Sequence, residues 1–238
     1  MISRPESDMN RLSAASAARS LIRPVALALA VLALALALGL VARASWTGVD
    51  AAIAAAVVAA CPAWLAGLGD LAASLPVVAA VTALAAAAGW VRGGVRVAVA
   101  IAFGITIEVP VQVLKVLVDR PRPPGANEIE AFGSLASYPS GHEARAVVLS
   151  LLVVGILLRG TRFATPAAIG AVVIVVLVGV ARVGAGAHWP TDVIGGVLVG
   201  SAWAIPALAW VDRERARSGA DGDQHEVRRE GDEQPGQE

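Results

Sequence analysis

Long runs of Ala, Val, Leu and Ile alternate along this chain with short polar or glycine-rich breaks. Six runs stand out, over residues 24–42, 75–91, 97–118, 144–158, 166–180 and 193–211. A helix needs roughly 20 apolar residues to cross the hydrocarbon of a bilayer, so the pattern predicts an all-α, polytopic bundle of six transmembrane helices. Residues 43–74 are less apolar and carry Trp46, Asp50, Cys61, Pro62, Trp64 and Asp70. They predict one or two short helices at the interface, with the tryptophans at headgroup depth. Residues 1–23 are polar, with Arg4, Arg11, Arg19 and Arg23, and read as a flexible cytoplasmic lead. Basic residues before an apolar core also fit a cleavable signal peptide, but the further spans favour an uncleaved anchor. The segment from Asp212 is charged, Gly-rich and without periodic apolar residues, so disorder is expected over 212–238. The membrane domain is thus bounded at 24–211.

Composition agrees. Hydrophobic residues make up 57% and charged residues 16% of the 238, with mean hydropathy +0.69, whereas a soluble domain carries about 25% charge. The chain reads as a membrane protein with lipids for partners and no nucleic acid. Its one cysteine, Cys61, excludes an internal disulfide and a cysteine zinc cluster. The net charge of +0 hides an uneven distribution. With the N-terminus inside, 13 of the 19 basic residues are cytoplasmic: Arg4, Arg11, Arg19, Arg23, Arg92, Arg96, Arg159, Arg162, Arg213, Arg215, Arg217, Arg228 and Arg229. That asymmetry fits the positive-inside rule, with both termini inside. The others, Arg43, Lys115, Arg120, Arg122, Arg145 and Arg182, fall on the outer side, five of them near two connections. Cations placed against the rule need another reason, and binding an anion supplies one.

The first of those connections is KVLVDRPRPPGANEIEAFGSLASYPSGH, from Lys115 to His142. Pro121, Pro123, Pro124 and Gly125 stop any helix there. Ser140-Gly141-His142-Glu143 before an apolar run predicts a helix start, with Ser140 as N-cap and Glu143 closing a capping box. Such an end offers backbone N–H groups to an anion. Within the third span, Glu108 and Lys115 share a face, and charged groups near a bilayer centre cost roughly 2.5–3.5 kcal/mol each, so both should face the bundle interior. Glu108 fits a structural, neutral or functional acid equally. Of the three histidines, His142 and His188 lie at outer ends of spans and His225 lies in the tail.

Three groups of residues together resemble the signature of the type 2 phosphatidic acid phosphatase superfamily. They are Lys115 with six residues to Arg122-Pro123, then Pro139-Ser140-Gly141-His142, then Arg182 with five residues to His188 and three more to Asp192. The resemblance covers about residues 75–211. Ala181 departs from it, since the family usually has Ser before the arginine of the third part.

The resemblance implies a lipid phosphatase in which His188 attacks phosphorus to give a phosphohistidine. Asp192 would hold one ring nitrogen, provided that the segment opened by Pro190 is helical. His142 would serve as acid and then base. Lys115, Arg122 and Arg182 would neutralise the phosphoryl oxygens, helped by the Ser140 hydroxyl and the Gly141 N–H. Polyprenyl diphosphate is the expected substrate, with phosphatidate or phosphatidylglycerophosphate as alternatives, at a site on the outer face of the cytoplasmic membrane. No cofactor is implied. A His–Asp pair four apart also fits a metal, but the surrounding cations repel a divalent ion, so metal-independent turnover is expected. A lipid or anion transporter is the competing class, though transport does not call for two histidines, a carboxylate and three phosphate-binding cations. Arg120 and Arg145 lie near the site but outside the signature; contact with a lipid headgroup or a second phosphate is one reading, and a solvated or headgroup-touching surface cation is the favoured one.

Overall fold

The computed structural model describes residues 6–124, 126 and 135–232, and these contain helices and connections but no strand. In chain order the helices are α1 (Glu6–Ser45), α2 (Thr47–Ala60), α3 (Ala63–Ala72), α4 (Leu75–Ala102), α5 (Glu108–Val118), α6 (Gly141–Leu152), α7 (Ala164–Gly184) and α8 (Pro190–Asp232). A 3-10 turn, Phe103–Ile107, joins α4 to α5, and a π turn, Val153–Leu158, extends α6.

Five helical runs are long and apolar enough to cross a membrane, and one of them, Leu75–Val118, has 44 residues. Laid straight it would reach about 66 Å, twice what a bilayer needs. It breaks at Gly93 (φ −146°, ψ 15°) and Gly94 (φ 73°, ψ −171°), the second a backbone state that glycine reaches without a steric penalty. A Cβ on Gly89 would stand 2.9 Å from Ile101 Cδ1, whereas twelve residues of unbroken helix span about 18 Å. The run therefore doubles back, and 75–92 and 95–118 are separate crossings. That makes six, as the apolar pattern predicts.

Two expectations fail at the ends. The lead expected to be flexible is helical from Glu6, continuous with the first span, and the segment expected to be disordered is helical to Asp232; residues 1–5 and 233–238 lie outside the described residues. Extending an existing helix needs no new nucleus. Beyond the last span, Asp212 bonds Arg159, Glu214 bonds Arg96, and Arg215 donates to the Ile156 carbonyl at 2.7 Å, which fastens the first turns of the extension.

Residues 43–74 form two short helices, α2 and α3, bent by 108° at Cys61-Pro62. Gly69 of α3 lies against Ala181, and Cys61 against Gly184, so the bent pair packs on the C-terminal end of α7. The bundle core is formed by Ile101, Ile107, Val111, Leu114, Val148, Leu152 and Val199, with Ala35 of α1 and Ala204 of α8. Small residues set the closest approach. A Cβ on Gly196 or Gly200 would stand 2.7 Å from the carbonyl of Ser140 or Ala144, so α8 lies nearly backbone to backbone on α6. This contact presses together the two helix starts that carry His142 and Asp192.

Candidate active site

One end of the bundle gathers the end of α5, the start of α6, the end of α7 and the start of α8. α5 stops at Val118 because Asp119 takes a left-handed conformation (φ 45°) and three prolines follow. Past the undescribed 127–134 stretch, Ala136 and Ser137 return to this end. The Ala136 carbonyl accepts from Lys115 Nζ at 2.8 Å and from Arg122 NH2 at 3.5 Å, so the first and second cations of the signature converge on one oxygen. Arg122 NH1 also donates to the carbonyl of Ala187, next to His188, at 2.9 Å.

α8 opens with Pro190, whose missing N–H costs nothing in the first helical turn. Asp192 reaches back from that turn to accept the Trp189 backbone N–H at 2.8 Å. Its carboxylate also accepts from Arg120 at 2.7 Å and from the Ser137 hydroxyl. His188 Nδ1 lies 3.5 Å from Asp192 Oδ2, with both side chains fully buried. His188 stands just before the helix rather than in it, so the pairing is made across the helix start and not along a helical face. Facing a carboxylate, Nδ1 carries the ring proton in the neutral imidazole and Nε2 keeps its lone pair.

Ser140 precedes α6 and donates its backbone N–H to the Asp192 carbonyl at 3.0 Å. The expected capping box is absent: Ser140 makes no side-chain cap bond. The reason lies in that backbone bond, because the N–H that Glu143 should accept is already given to Asp192. Glu143 instead enters the seam between α7 and α8, against Gly179 and Gly196, where its carboxyl oxygens have no partner among the described residues. The Ser140 hydroxyl is likewise buried without a partner among them. It is thereby available to an oxyanion, together with the helix start at Gly141.

Arg182 and His142 complete the cluster. Both address one oxygen of Asp70 on α3, Arg182 NH1 at 2.7 Å and His142 Nε2 at 3.1 Å. Shared acceptors and adjacent residues thus link Lys115, Arg122, Ser140, Gly141, His142, Arg182, His188 and Asp192, which the sequence spreads over 78 positions, at one end of the bundle.

Residues 93–216 match the PAP2 superfamily, described by that name. The chain belongs to this superfamily. It is also similar to the crystal structure of "the first transmembrane PAP2 type phosphatidylglycerolphosphate phosphatase" from Bacillus subtilis, with a TM-score of 0.66 and 27% identity over 80% of this chain and 96% of that one. No curated protein sequence matches.

Beyond the PAP2 signature, this site contains groups that sequence reasoning missed or misplaced. Arg120 is not a surface cation. It is buried at 1% exposure and bonds Asp50 (2.5 Å), Thr191 (2.6 Å) and Asp192 (2.7 Å), with its guanidinium 5.6 Å from the Trp189 ring centroid. Two carboxylates and a hydroxyl outweigh the loss of water around one planar cation. Asp50 in turn accepts the Thr191 backbone N–H at 3.1 Å, which ties α2 to the start of α8.

Arg145 is also buried. Its Nε donates to the Ala73 carbonyl at 2.9 Å and its NH1 to Glu108 at 2.8 Å, leaving NH2 at 3.2 Å from His142 Nδ1. A guanidinium only donates. In the neutral ring Nδ1 therefore presents its lone pair to Arg145, and Nε2, which faces Asp70, carries the proton. Glu108, ambiguous in sequence, is the acid that seats this arginine. Tyr138 anchors the returning loop by donating to the Ala35 carbonyl at 2.5 Å. Burial, reinforced by the Asp192 carboxylate, pushes its phenol pKa well up, so it remains a donor.

Proposed function

We infer that this PAP2 protein is a membrane phosphatase that removes a terminal phosphate from a lipid. The observation supporting the reading is that the His188–Asp192 pair and the His142–Asp70–Arg182 group lie at one end of the bundle, joined through the Ser140 N–H bond to the Asp192 carbonyl. His188 Nε2 attacks phosphorus, the bond to the leaving oxygen breaks, and that oxygen takes a proton from His142, which enters this step as the imidazolium, with the Arg145 guanidinium drawn off Nδ1, and leaves it as the neutral ring. Water then attacks the phosphohistidine and gives a proton to His142, which frees orthophosphate and restores both rings. Lys115, Arg122 and Arg182 neutralise the charge gathering on the phosphoryl oxygens, where preorganised donors have their largest effect. Ser140 and the Gly141 N–H add two directed donors.

The substrate is a lipid because the pocket lies at the ends of spans, at the depth of headgroups. Beside it, an apolar cleft of about 550 Å³ lined by Ile53, Val57, Leu65 and Val180 suits a hydrocarbon chain. Polyprenyl diphosphate is the first reading, with the site on the outer face of the cytoplasmic membrane. The cations Arg92, Arg96, Arg159 and Arg215 at the opposite end support that orientation. The Bacillus subtilis structure favours a second reading, phosphatidylglycerophosphate. Phosphate release by purified protein from polyprenyl diphosphate, phosphatidylglycerophosphate and phosphatidate is the deciding measurement. Release from none of them, together with flux of any of them across vesicles, would replace the phosphatase by a transporter. A cysteine in place of Ala126, in a Cys61→Ser chain, should react with an impermeant maleimide on intact cells; labelling only after lysis reverses the orientation.

The reaction is proposed to need no metal. A pocket of three cations repels a divalent ion, and among the described residues no three His, Cys, Asp or Glu side chains converge. Turnover should persist in excess chelator; full loss restored by one divalent ion overturns this part.

A further inference from the structure

Among the described residues, one acidic side chain outside the signature, Asp70, bonds two of the cationic and imidazole groups of the phosphate site. Asp70 Oδ1 receives Arg182 NH1 at 2.7 Å and stands 3.1 Å from His142 Nε2. These are groups that a phosphoryl oxygen needs, and N–H donors bind carboxylate and phosphate oxygens at the same lengths. The carboxylate oxygen thus stands where a phosphoryl oxygen would bind. Asp70 is also unlike Asp50 and Asp192, the two carboxylates that hold Arg120. Its side chain is 57% exposed, whereas those of Asp50 and Asp192 are 2% and 0% exposed. It hangs from a ten-residue helix joined to α2 through the bend at Cys61-Pro62.

We propose that Asp70 is a specificity determinant, a charge filter that yields the pocket to a terminal phosphate monoester but not to a phosphodiester headgroup. The proposal takes the reading of this end as a phosphate pocket as given. A pocket of three cations and a helix start at headgroup depth attracts any phosphate, and the bilayer offers phosphodiesters in great excess. A diester carries one negative charge, as Asp70 does, so exchanging one for the other brings no additional charge to Lys115, Arg122 and Arg182. A terminal phosphate carries about −1.5 to −2 near neutral pH and wins the exchange. Discrimination then comes from a group that competes with the wrong ligand rather than from a better fit to the right one.

The test uses the full chain in detergent micelles, with Asp70→Asn, Asp70→Ser and the charge-keeping Asp70→Glu. Calorimetric binding of orthophosphate should tighten about tenfold in the Asn and Ser variants, the effect of one like charge removed from beside an anion, and stay near the parent in Glu. Phosphatidylglycerol, a diester, should become a competitive inhibitor of lipid monoester hydrolysis in Asn and Ser, while the parent and Glu resist it. Equal or weaker orthophosphate binding by both neutral variants, or their continued resistance to phosphatidylglycerol, overturns the proposal. Orthophosphate binding is measured without turnover. A chain inactive toward every lipid phosphate therefore refutes the phosphatase reading while leaving the filter still testable.

Discussion

The two ends of the bundle are both rich in arginine and use it in opposite ways. At the site end Arg120, Arg145 and Arg182 are buried to 3% exposure or less, and each bonds a carboxylate. At the other end Arg96 and Arg159 are 65% and 60% exposed, and each reaches a single acid, Glu214 or Asp212. The difference teaches that residue type and span position alone do not assign a role. Buried pairs fix atoms in place, because removing one partner leaves an uncompensated charge. Exposed pairs sit in water and contribute little to folding.

The contrast breaks most sharply at the chemistry. His188→Ala should lower phosphate release by at least about 10⁴-fold, as loss of a covalent nucleophile does, with no change in elution of the micelle-bound protein. Retained turnover would remove His188 from the role of nucleophile. Next comes Arg120→Ala, which strands Asp50 and Asp192 and should cost about 3–5 kcal/mol of stability, seen as a large drop in melting temperature. A loss below about 1 kcal/mol would put Arg120 with the surface arginines and erase the distinction between the two ends.

How much of this could be read from the sequence follows the range of each interaction. The six spans were legible because a bilayer leaves a backbone few ways to satisfy its polar groups, and apolar run length reports them directly. Even the Leu75–Val118 hairpin was marked, by Gly93-Gly94 between two runs. The signature was legible because Ser140 and His142, or His188 and Asp192, are neighbours in the chain. Arg120 with Asp50, 70 residues apart, and Arg182 with Asp70, 112 apart, were not. Nothing local distinguishes Asp50 or Asp70 from an interfacial acid. The signal available was the excess of cations around the two connections, which reads as anion binding, whereas Arg120 and Arg145 pair with acidic side chains of this chain. The capping box failed for the same reason of range, since the Ser140 N–H was taken by a residue 52 positions away.

A smaller effect sharpens the comparison within the site end. Arg145 touches no reacting atom, so it is a positioning residue that acts through His142 Nδ1 and is itself seated by Glu108. Arg145→Ala should lower kcat by about 10–100-fold, the usual cost of losing the partner that orients a working imidazole, with a much smaller change in KM. Glu108→Gln keeps an oxygen for the guanidinium and should recover most of that rate, whereas Glu108→Ala should resemble Arg145→Ala. A purely structural arginine would move the melting temperature without this division between kcat and KM.

The smallest effect is expected at the far end. Arg159 and Asp212 meet at 2.5 Å but are 60% and 45% exposed, so water and salt screen most of their attraction, and pairs of this kind contribute about 0–1 kcal/mol. Arg159→Ala should therefore shift the melting temperature only slightly, and the shift should shrink further in 1 M salt, where the screening length falls to about 3 Å. Phosphate release should stay at the parent rate, because Asp212 lies about 33 Å of helix along α8 from its start beside His188. A substantial loss of activity in this variant would mean that the two ends are mechanically coupled through α8, whose first turn holds Asp192 and whose later turns hold Asp212. The division into a working end and a far end would then have to be given up.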